Sequence, residues 1–141
     1  MRIVLDTNVV LSALLWRGTP YHLLATIKRQ SRIQLYTSTV LIEELADVLT
    51  RPSAGKRLAL IGKTASEILS DYVEAIELVE PVNVPRIIVG DVDDDQVIAV
   101  AVEAGVELVV SGDRRHLLSL GSYQGISIVD AAEALRRIID E

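Results

Sequence analysis

Short aliphatic runs that each give way to a helical stretch constrain this chain more than any other feature. RIVLD (2–6) precedes NVVLSALLW, and RIQLYTS (32–38) precedes TVLIEELADVLTR. Further on, ELVVSGD (107–113) ends in a glycine turn, and ISIV (126–129) leads into DAAEALRRIIDE. ELVE (77–80) reads as another short strand, ended by Pro81 and Pro85. Such alternation predicts one three-layer α/β domain over residues 1–141, with a central, mainly parallel sheet flanked by helices. Pro20 suits a first helical turn, and Ser38 is placed to cap the helix after the second strand, which stops before Pro52. Two more helices are expected at 54–61 and 64–76, and Gly105 closes QVIAVAVEAG. No repeat or linker interrupts the pattern.

The core of such a domain must be aliphatic, because the chain has no Phe and one Trp while half its residues are hydrophobic. At 141 residues it is long enough to bury that core. The absence of cysteine excludes disulfides and thiolate chemistry and is compatible with a reducing compartment. Asp6 and Asn8 interrupt the apolar N-terminus, which therefore does not read as a signal peptide. No apolar run approaches the roughly 20 residues of a membrane span, so the expectation is a soluble, cytoplasmic protein with no membrane partner.

In a parallel sheet the strand C-terminal ends share one side, and ligands bind there where strand order reverses. Acids recur at those positions. Asp6 follows the first strand, Asp113 follows LVVSG, and Glu44 lies beyond the second strand. GDVDDDQVIAVA (90–101) sets four aspartates before a helix. A calcium loop of the EF-hand kind would need Gly and Glu where Gln96 and Val102 stand. Helix capping accounts for one or two of the acids, and a solvated turn accommodates Asp91 and Asp93. Asp95 shares a helical face with Ile98, Ala99 and Val102 and so points towards the core side, with Asp94 next closest. By the same geometry Glu44 sits at the edge of the stripe formed by Leu41, Leu45, Val48 and Leu49, whereas Glu43 faces solvent.

Two carboxylates about 5 Å apart repel by roughly 3 kcal/mol at an effective dielectric of about 20. Asp6, Glu44, Asp95 and Asp113 gathered in one crevice would therefore require protons or a cation. Hard oxygen donors suit Mg²⁺ or Mn²⁺, which activate water and stabilise a phosphoryl group. The chemistry implied is phosphodiester hydrolysis. The net charge of −6 weighs against nucleic-acid binding. Between Lys28 and Lys63, however, seven basic residues face three acids, leaving a local excess of four positive charges.

VLDTNVVLSALLW, STVLIEELADVLTRP, DVDDDQVIAVAVEAGVELVVSGDRRHL and GISIVDAAEAL, in that order along the chain, closely resemble PIN-domain proteins. The nearest branch resembles the toxin components of toxin–antitoxin pairs, related to VapC ribonucleases. The resemblance implies a Rossmann-like sheet and an Mg²⁺- or Mn²⁺-dependent endoribonuclease acting on RNA. It places the catalytic, metal-holding acids at Asp6, Glu44, Asp95 and Asp113, with Asp94 a neighbour and Asn8, Ser38 and Ser111 supporting the site. It further implies a homodimer or higher oligomer and a small antitoxin protein as partner.

Arg114, Arg115 and His116 suit either a phosphate contact or a solvated basic turn. His22 and His116 lack the company that zinc sites require. Trp16 and Tyr21 suit packing better than base stacking. No phosphate-binding glycine loop occurs. Two alternatives stand beside the nuclease: a non-catalytic RNA- or protein-binding module that retains the acids, and a phosphoacceptor receiver domain. The latter needs a lysine after a late strand, which ISIVDAAEA does not supply.

Overall fold

β1 (Arg2–Leu5) is a short run of aliphatic residues whose alternate side chains enter two separate cores. Ile3 and Leu5 face one core and Val4 the other, so the strand is covered on both sides. The structure, a computed structural model, describes residues 1–84 and 92–140, leaving aside the side chains of residues 92 and 93. The expected turn roles of Asp91 and Asp93 lie outside the described residues and side chains.

β1 pairs in parallel with β2 (Gln34–Thr37) on one side and β4 (Leu108–Val110) on the other. β2 pairs in parallel with β3 (Glu77–Leu78), and β4 with β6 (Ile126–Val129). β5 (Ser122–Tyr123) joins β6 antiparallel at the edge, giving the order β3-β2-β1-β4-β6-β5. The chain winds outward from β1 to β2 and β3, then crosses back to place β4 on β1's opposite side. The reversal of strand order therefore falls between β1 and β4, where a ligand crevice is expected.

The two cores make the three layers. One side of the sheet is covered by α1 (Thr7–Leu15), α2 (Thr19–Lys28), α4 (Pro52–Ile61), α5 (Ala65–Glu74) and α8 (Ala131–Ile139). The other is covered by α6 (Val92–Ala104) and α7 (Leu117–Leu120). α3 (Thr39–Leu49) contributes to both cores, through Leu41 to the second and through Leu45 and Leu49 to the first. The α/β architecture predicted from strand–helix alternation is the one observed.

Three local expectations differ from the structure. Pro52 opens α4 rather than only marking where α3 cannot continue, because a proline at the first helical position forfeits no internal hydrogen bond. The Gly121 and Gly125 turns, both at positive φ, fold residues 117–125 into α7 and the β5 edge strand, which the sequence reading leaves unassigned. Val102 is 43% exposed although it lies in phase with Asp95 and Ile98. Residues Val97 to Ala101 are all buried, so α6 is apolar nearly all round and a single-face count cannot rank its positions. Gly105 closes α6 as expected: at φ 63° it lets Val106 N–H reach Ala101 O at 3.0 Å.

Candidate active site

Asp6 is the first residue beyond β1 and the last before α1, and its backbone serves both elements. Its N–H donates to Val110 O at 2.8 Å, extending the β1–β4 ladder, and its carbonyl accepts from Val10 N at 3.0 Å to start the helix. The carboxylate takes no part in capping α1 and instead turns across the sheet. There Ser111, the residue after β4, donates its hydroxyl to Asp6 Oδ2 at 2.9 Å. The Ser111 hydroxyl also accepts from Asp113 N–H at 3.0 Å, tying the ends of β1 and β4 together. Ser111 is completely buried and Asp6 only 6% exposed, so this junction is shielded from bulk water.

Asp113 is held by its own turn. Its Oδ1 accepts from the backbone N–H groups of Arg115 at 3.0 Å and His116 at 3.2 Å, fixing the carboxylate's orientation. Its Oδ2 lies 3.0 Å from His116 Nδ1, and the same ring nitrogen lies 3.7 Å from Asp94 Oδ2 on the first turn of α6. Asp94, Asp113 and His116 thus each offer one donor atom, all within 4.8 Å of one another. Burial acts to raise the Asp113 pKa, but hydrogen bonds from Asp94, His116 and the two backbone N–H groups outweigh it and hold the carboxyl below its ordinary value.

The remaining residues singled out in the sequence lie on α1, α3 and α6 or just before them. Asp95 is buried beside Asp94 at the start of α6. Glu44 is half-buried on α3, with Glu43 exposed, and α3 packs directly against α6. Ser38 is completely buried and caps α3 by accepting from Leu41 N at 3.3 Å. Asn8 is exposed and, with Ser111 and Asp113, lines a cleft of about 490 Å³ that also reaches the first turns of α2 and α8. The donor set is rich in carboxylate oxygen, with one imidazole nitrogen, and fits a hard or borderline divalent cation.

His116 is the member of the cluster that the sequence reading did not place there. The signal available was its position three residues after Asp113, the spacing at which an aspartate-initiated turn brings a side chain back beside the carboxylate. Trp16 and Tyr21 lie apart from these residues, each under a guanidinium: Arg57 is 5.9 Å from the Trp16 ring and Arg17 is 4.8 Å from the Tyr21 ring. Arg57 also donates to Leu15 O at 2.7 Å, so part of the basic 28–63 segment braces α4 against the end of α1.

Comparison with known proteins places the fold and the family. The fold is similar to a chain in the crystal structure of VapBC2 from Rickettsia felis bound to a DNA fragment from their promoter. The TM-score is 0.60 at 12% identity, over 91% of this chain and 97% of that one. At this identity the likeness establishes the fold alone. No curated protein matched in a sequence comparison. A family model described as PIN domain matches residues 2–115, a span that includes Asp6, Glu44, Asp94, Asp95 and Asp113. With most of its length matched in this way, the chain belongs to the PIN-domain family.

Proposed function

We propose that this protein is a divalent-metal-dependent endoribonuclease, the toxin of a toxin–antitoxin pair, with residues 1–141 forming one catalytic domain. The observation that carries the reading is the cluster of Asp94, Asp113 and His116, linked through Ser111 to Asp6, at the ends of β1 and β4 and the start of α6, where strand order reverses. In this reading Asp6, Glu44, Asp95 and Asp113 hold Mg²⁺ or Mn²⁺, with Asp94 as a further oxygen donor. Such an ion supplies water activation at neutral pH and neutralises charge building on a phosphoryl group.

The chain's own groups do the positioning. Ser111 couples the Asp6 carboxylate to the Asp113 backbone N–H, so the two residues stay in register when a phosphodiester enters. The two N–H bonds to Asp113 prevent its rotation away from the crevice. Asn8 at the mouth of the cleft offers amide donors to a phosphate oxygen, and the cleft beside it has room for a neighbouring nucleotide. Water then displaces the 3′ or 5′ oxygen from phosphorus, and the departing oxygen gains a proton from solvent. The toxin assignment and a small antitoxin partner are supported by the family and by likeness to the VapBC2 fold; a homodimer or higher oligomer belongs to the same proposal. Cytoplasmic action fits an RNA substrate. Among the described residues, no helix is long and apolar enough to cross a membrane.

The test is incubation of purified protein with structured and single-stranded RNA in Mn²⁺ or in EDTA. Cleavage should require the ion, and Asp6→Asn should lower the rate by at least about 100-fold. An Asp6→Asn protein cutting as fast as wild type would overturn the assignment. RNA retained but uncut across many sequences would instead favour the non-catalytic binding module.

A further inference from the structure

We propose that His116 is a nitrogen ligand of the metal centre and gives the site a preference for Mn²⁺ over Mg²⁺. The inference rests on the metal-dependent reading above and extends it to a residue beyond the matched 2–115 span. Its basis is the spacing of donor atoms. In an octahedral complex with metal–donor distances of about 2.1 Å, neighbouring donors lie about 3.0 Å apart. Asp113 Oδ2 and His116 Nδ1 are hydrogen-bonded to each other at 3.0 Å, which is also the edge length such a complex needs once the ion replaces the shared proton. Asp94 Oδ2 lies 3.7 Å from the same nitrogen, and the three donors fall within 4.8 Å of each other.

The ring is also held for this role. The His116 backbone N–H is tied to Asp113 Oδ1, the adjacent Leu117 is completely buried, and His116 immediately precedes α7. Nδ1 therefore faces the carboxylates because of the turn and its anchor. The His116 side chain remains 35% exposed, which leaves the centre open to an entering ion and substrate. Imidazole is a borderline donor: it adds little for Mg²⁺, which prefers oxygen, and more for Mn²⁺. A centre built from carboxylates alone would discriminate less between the two.

The experiment compares wild type with His116→Gln, measuring Mn²⁺ and Mg²⁺ affinity by calorimetry and the bound Mn²⁺ by pulsed paramagnetic resonance. Wild type should show coupling to a ¹⁴N nucleus of imidazole type, which the variant lacks. His22, the other histidine in the sequence, packs edge-on against Tyr21 on α2, and a His22→Gln control should retain the coupling. Mn²⁺ affinity should fall at least about tenfold in His116→Gln, with Mg²⁺ affinity changed less than about threefold. Bound Mn²⁺ without nitrogen coupling in wild type, or an unchanged Mn²⁺/Mg²⁺ ratio in the variant, overturns the proposal. Should the variant unfold, the wild-type and His22→Gln spectra still decide. Nitrogen coupling without RNA cleavage would uphold the His116 ligand while overturning the nuclease, whereas failure to bind Mn²⁺ at all would overturn both.

Discussion

Replacing Asp94 with asparagine should stabilise the metal-free protein while abolishing its stabilisation by metal. Asp94 is 5% exposed, and its carboxylate offers a donor within 4.8 Å of one on Asp113. At the outer limit of that range two full negative charges repel by about 3.5 kcal/mol at an effective dielectric of about 20. The nearby His116 ring and the hydrogen bond shared by the two carboxyl groups relieve part of this. The substituted amide is isosteric with the carboxyl group and still able to donate to Asp113, so the contact survives without the repulsion. A net gain of roughly 1–2 kcal/mol follows, which raises the Tm of a chain this size by roughly 3–6 °C. Metal should act in the opposite sense. Wild type at 100 times its dissociation constant for Mn²⁺ gains about 2.7 kcal/mol, and the variant should lose most of that gain. Thermal unfolding in EDTA and across a Mn²⁺ series measures both effects. A variant that is less stable in EDTA, yet rises with Mn²⁺ as wild type does, would refute the electrostatic reasoning.

Other substitutions probe the scaffold. Ser111→Ala removes a buried hydroxyl that serves Asp6 and Asp113 at once, and urea denaturation should show a loss of roughly 2–4 kcal/mol. Thr64 and Glu67 form a reciprocal capping box at the start of α5, so Thr64→Ala should cost about 1 kcal/mol by the same assay without altering metal affinity. On α8, hydrogen bonds from Arg136 and Arg137 hold the Glu133 carboxyl at about 2. Because that value is depressed, its contribution to stability is present above about pH 4.5 and is lost as pH falls towards 2. An NMR titration should find this low midpoint, and 1 M salt should move it back towards the ordinary glutamate value.

The parts of the fold that the sequence revealed are those where local chemistry and tertiary packing agree. ISIV is a strand at the expected positions, Ser38 caps α3, and Gly105 ends α6 because each residue has one favourable local role. Glu44 and Glu43 separate by exposure as the stripe on α3 implies, since that helix buries one face. The count on α6 was less informative because five consecutive buried residues leave little polar contrast to set a phase. Asp94 and Asp95 are both buried there, although the count favours Asp95. His116 reads in sequence only as a phosphate contact or a solvated turn for another reason: its place in the cluster follows from a turn that returns the ring to Asp113 and from α6 arriving across space. Neither feature has a periodic signature. Pro52 shows how one residue's chemistry can end one helix's range and open the next.

The hydrogen bond from Ser111 to Asp6 spans 105 positions of sequence. Closing so long a loop carries an entropic cost that only the assembled β1–β4 ladder offsets. A nascent chain that has emerged through α5 already presents Asp6 and Glu44, but neither α6 nor β4 exists to complete the crevice. A crevice built from both halves of the chain cannot assemble while the protein is half made. The order of synthesis thus delays assembly of the crevice until α6 and β4 have both left the ribosome.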